Sequence, residues 1–122
     1  MRSAIRLALA AALLAGVAGA SSAATPVDGA FGNTIISTYP DGRTARLWLH
    51  PNGSYAAKGR RGDPSSGHWS VRNDKVCLRQ SKPFPAPFSY CTGIGAARVG
   101  ASWTGKAVTG EAITIHMVKG QG

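Results

Sequence analysis

From Asn33 to Val118 apolar and polar residues alternate in short runs, separated by clusters of proline, asparagine, aspartate and glycine. Side chains along a strand point to opposite faces in turn, so the pattern predicts short, half-buried β-strands. Asn33–Thr38 is rich in β-branched residues, while Arg43–His50 and Ser54–Lys58 alternate. Their connectors, Pro40-Asp41-Gly42 and Pro51-Asn52-Gly53, suit a type I turn followed by a left-handed glycine, the usual three-residue hairpin loop. Pairing across these turns sets Ile35 beside Leu47 and Leu49 beside Tyr55 on one face. On the other, Arg46 falls between Ile36 and Lys58, and Trp48 between Thr34 and Ala56.

Asn73-Asp74 predicts a two-residue turn, because both residue types tolerate left-handed backbone. With Arg72 opposite Lys75, the apolar face takes Trp69, Val71, Val76 and Leu78. The wet face takes His68, Ser70, Arg72, Lys75, Cys77 and Arg79. Gly59–Ser66 reads as a flexible basic loop, and the prolines of Ser81–Pro87 as a crossing loop, since proline donates nothing to a sheet ladder. Phe88–Thr92 resumes a strand. Ile94–Val99 and Ala101–Lys106 read as weak short strands anchored by Trp103, and in Glu111–Val118 Ile113, Ile115 and Met117 alternate with Thr114 and His116. No stretch from Thr25 on has a helical period. The expectation is an all-β antiparallel meander of about eight short strands, forming a small barrel or sandwich. It occupies residues 31–118, with a loose lead at 25–30 and a frayed tail at 119–122.

The first 24 residues have another character. Arg2 and Arg6 precede the apolar run Leu7–Val17, and small residues follow at Ala18–Ala24, the form of an export signal cut after Ala24. The apolar run is shorter than the ~20 residues a membrane span requires, so no span is expected after cleavage. Residues 25–122 then form one domain, which at that length buries a modest core. Two cysteines in an exported chain predict one intramolecular bridge, Cys77–Cys91, in place of a redox pair or metal ligands, which the spacing does not suggest. Loss of the signal removes two of the 14 basic residues and leaves 12 against 5 acidic ones, a formal +7 that favours anionic partners.

Few residues invite chemistry. The acidic residues Asp41, Asp63 and Asp74 belong to turns and the basic loop, and no facing carboxylate pair is apparent. No G-x-S-x-G elbow or phosphate-binding glycine loop occurs either. His50, His68 and His116 are the candidates for metal or catalysis, without a metal-binding spacing, so no cofactor is expected. Arg61-Gly62-Asp63 spells an adhesion tripeptide, within a loop that Arg60 makes simply basic. The stronger candidate is a cationic face of Arg46, Trp48, Lys58, Arg60, Arg61, Arg72, Lys75 and Arg79, since guanidinium groups pair with anionic oxygens and an aromatic plane stacks. Such a face suits an anionic envelope polymer or an acidic protein, and no specific nucleic acid. Alternatively Leu47, Leu49, Tyr55, Trp69 and Val76 line an internal pocket for an apolar ligand.

Gly67-His68-Trp69 resembles the Gly-x-Trp element of lipocalin-like barrels, although that element lies on the family's first strand and here stands mid-chain. The resemblance implies a tryptophan plugging one end of a barrel. Together, the signal, the P-D/N-G turns, the G-x-W and the C-L-x-Q strand resemble small exported proteobacterial proteins, a likeness that implies no activity. The expectation is a monomeric, non-enzymatic, periplasmic or secreted domain whose cationic face binds an anion. Its alternatives are a lipocalin-like carrier, or an inhibitor inserting Gly59–Ser66 or Ser81–Pro87 into a partner enzyme.

Overall fold

A computed structural model describes residues 27–95 and 97–121. The export signal expected at residues 1–24 lies outside the described residues. After a 3-10 turn at Asp28–Ala30 come eight strands: β1 (Thr34–Thr38), β2 (Thr44–Leu49), β3 (Ser54–Lys58), β4 (Pro64–Arg72), β5 (Lys75–Lys82), β6 (Tyr90–Gly93), β7 (Ser102–Lys106) and β8 (Ala112–Val118). They form one antiparallel sheet in the order β6-β5-β4-β3-β2-β1-β8-β7, which curls into a nearly closed barrel. No ladder joins β6 to β7. That seam is bridged by side chains, with the Tyr90 hydroxyl donating to the Lys106 carbonyl.

The registers follow the alternation of the sequence. Ile35 pairs with Leu47, Arg46 with Lys58, Leu49 with Tyr55 and Trp69 with Leu78. Odd-numbered positions therefore point inward on β1–β4, β7 and β8, and even-numbered ones on β5 and β6 after the two-residue 73–74 turn; Leu49, Tyr55, Val76, Ile113, Ile115 and Met117 are buried there. Full burial of a side chain such as Leu49 stabilises by roughly 1.5–3 kcal/mol. Cys77 and Cys91 stand directly opposite on β5 and β6 and are bonded, so the expected bridge fastens the edge strand β6 to its neighbour.

One turn geometry recurs four times. Tyr39 and Arg43, His50 and Ser54, Gly59 and Asp63, and Ala107 and Glu111 each close a three-residue loop, with a carbonyl accepting from the glycine three positions on. Gly42, Gly53, Gly62 and Gly110 all have φ near +90° (+85° to +91°), the left-handed conformation that this turn requires. The third copy corrects the reading of Gly59–Ser66 as a flexible loop: β4 begins at Pro64, and only Arg60-Arg61-Gly62 turns. Without a proline at its start, it lacked the signal that marked the first two.

The other departures are at the ends. Ile94–Val99 forms no strand among its described residues. The 25–30 lead is not loose where described: Val27 and Ala30 are fully buried, and Gly29 lies so close to the Ala97 carbonyl that no side chain would fit. The tail is fastened too. The Gly120 amide donates to Asn33 Oδ1 at 3.0 Å and its carbonyl accepts from Thr34 Oγ1 at 2.6 Å. These segments carry no period, so only the packing of chain ends against the barrel orders them.

Candidate functional site

The connections alternate between two ends of the barrel. At one end lie the 3-10 turn, the 50–54 and 73–74 turns, the 94–101 connection and the tail; at the other lie the turns 39–43, 59–63 and 107–111 and the loop after Lys82.

The first end is closed. The ring of Trp69 packs on Phe31 with centroids 5.8 Å apart, and its Nε1 donates to the His50 carbonyl at 2.8 Å. Two residues before Trp69 the β4–β5 register shifts, with Ser81 the extra residue on β5, and Gly67 lies against β5 so closely that a Cβ would be 2.0 Å from the Arg79 carbonyl oxygen. Glycine is thus required before the tryptophan. Trp48, on the outer wall of β2, donates from Nε1 to Thr34 Oγ1 at 2.9 Å and is half-buried.

The second end opens into the barrel. An internal cavity of about 360 Å³ runs from this mouth, walled by Ile35, Leu47, Val76, Leu78, Ile113 and Ile115. Its polar lining comprises Ser37, Tyr55, Ser65, Gln80 and Thr92, together with Tyr39, Tyr90 and the two cations Arg46 and Lys58. Burial raises the Tyr55 phenol above the ordinary tyrosine range. Trp103 also lines the space, and its indole N–H is buried without an acceptor among the described residues. Of the five residues expected to line a pocket, Leu47, Tyr55 and Val76 do so; Leu49 and Trp69 do not, because they fill the closed end. The interior stays hollow because small side chains, Ser37, Ala45, Ala57 and Ser65, occupy inward positions on four neighbouring strands.

Three apolar side chains stand exposed at the mouth, Phe84 at 63 %, Phe88 at 69 % and Val108 at 73 %, and Phe88 and Val108 line the cavity as well. Arg60 sits on the same rim. Its guanidinium pairs with Glu111 at 2.8 Å, lies 3.6 Å from Asp41 and stacks 4.1 Å above the Tyr39 ring centroid. The Glu111 carboxyl is held below the ordinary range by hydrogen bonds first from Arg60 and then from Thr109. Burial raises the Tyr39 phenol, with Arg60 opposing. Sequence reasoning missed Tyr39, Phe84, Phe88, Val108 and Glu111 as site residues. Their shared location follows from which turns fall at one end, and alternation of connections around a meander was the signal available.

The cations named from the sequence do not form one face. Arg46 and Lys58 are cross-strand partners on β2 and β3 that also line the cavity, Arg79 lies beside His68, and Arg72 and Lys75 flank the 73–74 turn at the closed end. Arg60 is engaged by carboxylates and is not a free cation; Arg61, mid-turn, is exposed. Nor do the histidines converge. His68 and His116 are on the outer wall beside Arg79 and Ile36 respectively, His50 begins a turn, and no cluster of metal-ligating side chains occurs among the described residues.

No protein-family model, no curated protein and no solved structure matches the chain.

Proposed function

We propose that the protein is an exported, non-enzymatic carrier that holds a small apolar molecule inside the barrel. The supporting observation is the apolar cavity of about 360 Å³, shut at the Trp69 end and open at the Phe88 end. Sites for small ligands are typically concave, mostly apolar and about 300–1,000 Å³, with a few polar groups that fix orientation. Burial of apolar surface supplies the affinity, and Ser37, Tyr55 and Thr92 select among ligands of similar size. The dispersed cations give less support to binding of an anionic envelope component on one face, because separated charges attract an anion only diffusely. The disulfide suits the oxidising surroundings of the periplasm or the medium.

Titration of the mature, oxidised protein with the neutral probe N-phenylnaphthylamine tests the proposal. The expected result is saturable binding of one probe per chain, insensitive to salt, with quenching of Trp103. Ala57→Phe and Ser37→Phe, which fill the hollow, should abolish it. Absence of saturable binding, or binding unchanged in both filled variants, overturns the proposal.

A further inference from the structure

Among the described residues four large apolar side chains are exposed, and three of them, Phe84, Phe88 and Val108, belong to the rim of the mouth. They are carried by two different connections, the loop after Lys82 and the 107–111 turn, so chain continuity alone does not group them. Exposed cations surround them. Lys82 and Lys106 end β5 and β7 next to these connections, Lys58 ends β3, Arg61 caps the following turn, and Arg43 follows the 40–42 turn. Carboxylates at this end are Asp41, Asp63 and Glu111, and Arg60 engages the first and last of these. The closed end has cations as well, in Arg72, Lys75, Arg98 and Lys119, but only Val99 is an exposed large apolar residue there.

We infer that the open rim docks on an anionic phospholipid bilayer. Aromatic side chains favour the boundary between headgroups and acyl chains, and basic residues nearby are drawn to the negative surface potential, neither being sufficient alone. The rim presents both, with the cations around the apolar tip, so Phe84, Phe88 and Val108 reach the acyl boundary while lysines and arginines meet the phosphates. Docked in this way, the mouth faces the hydrocarbon, and an apolar molecule passes between membrane and cavity without crossing water. Docking itself needs only the rim and is independent of whether the cavity is filled.

Flotation of the mature, oxidised protein with vesicles tests this, using phosphatidylcholine alone and phosphatidylcholine mixed with phosphatidylglycerol. Binding is expected on the mixed vesicles and not on the neutral ones. Lys82→Glu with Lys106→Glu should weaken it at least about tenfold, from about 1 kcal/mol per basic residue at the surface. The closed-end pair, Arg72→Glu with Lys75→Glu, makes the same change in net charge and should leave it nearly unchanged. Phe84→Ser, at a side chain exposed already, should weaken it several-fold with the unfolding midpoint unaltered. Equal losses from the two charge pairs, no loss with Phe84→Ser, or no vesicle binding would each overturn the inference. N-phenylnaphthylamine titration of the same variants separates it from the carrier reading, since Phe84 and the two lysine side chains stand outside the cavity.

Discussion

Arg60 donates from both terminal guanidinium nitrogens to the two carboxylate oxygens of Glu111, at 2.8 and 3.3 Å, across the rim of the barrel. The two residues belong to the β3–β4 and β7–β8 turns, and between these lies the β1–β2 turn, from which Asp41 and the Tyr39 ring meet the same guanidinium. A forked, charge-assisted pair fixes orientation better than a single ion pair. Being partly exposed, it contributes modestly to stability. Its larger effect is to hold three neighbouring turns in one arrangement around the mouth.

That arrangement should respond to acid. Because the folded state holds the Glu111 carboxyl below its ordinary value, the unfolded chain binds this proton at a higher pH. The stabilisation is therefore complete above the ordinary glutamate range, near pH 4.3, and is lost as the pH falls through the lowered folded value. The unfolding midpoint measured against pH should show an acid-side decline, and Glu111→Gln should be the less stable protein at neutral pH and converge with wild type in acid. A gap that persists unchanged into strong acid would contradict the assignment.

Cleaving the edge fastening should loosen one wall of the cavity. Cys77→Ala with Cys91→Ala opens a loop of 14 positions and should reduce stability by roughly 3 kcal/mol in denaturant unfolding. Because β6 pairs only with β5, the wall carrying Tyr90 and Thr92 should become the fastest-exchanging part of the sheet in amide hydrogen exchange.

Gly67→Ala should destabilise by about 1–3 kcal/mol although it adds only one methyl group, because that methyl collides with the backbone of β5 and cannot rotate away. Urea unfolding measures the loss. Gly93→Ala, on β6 with nothing near the added carbon, is the matched control and should be nearly neutral.

Trp69→Ala should act on stability before affinity. The ring leaves Phe31 without its partner and the His50 carbonyl without its donor, a loss of about 3 kcal/mol. Probe affinity, measured under conditions where the variant remains folded, should change far less than in Ala57→Phe, since Trp69 seals the barrel and does not line its cavity.

Much of the wall was legible because strand periodicity is local. Ile35 opposite Leu47, and Arg72 opposite Lys75, follow from alternation and the chemistry of the intervening turns. The Arg60-Arg61-Gly62 turn was missed because its conformation depends on Gly62 alone, without the proline that marks Pro40 and Pro51. The mouth was less legible still. Arg60 and Glu111 are 51 positions apart, and nothing in the residues around either names the other.

By itself, then, the amino-acid order determined which residues pair across the 40–42, 51–53 and 73–74 turns, which face those residues take and which cysteines are joined, since all of these depend on residues close along the chain. Only the tertiary structure decided that the sheet curls until β8 meets β1, that small inward side chains on separate strands leave one hollow, and that Trp69 shuts one end while Phe84, Phe88 and Val108 ring the other. Those outcomes depend on sheet curvature and on the sum of volumes contributed by distant strands, quantities that no short stretch of sequence carries.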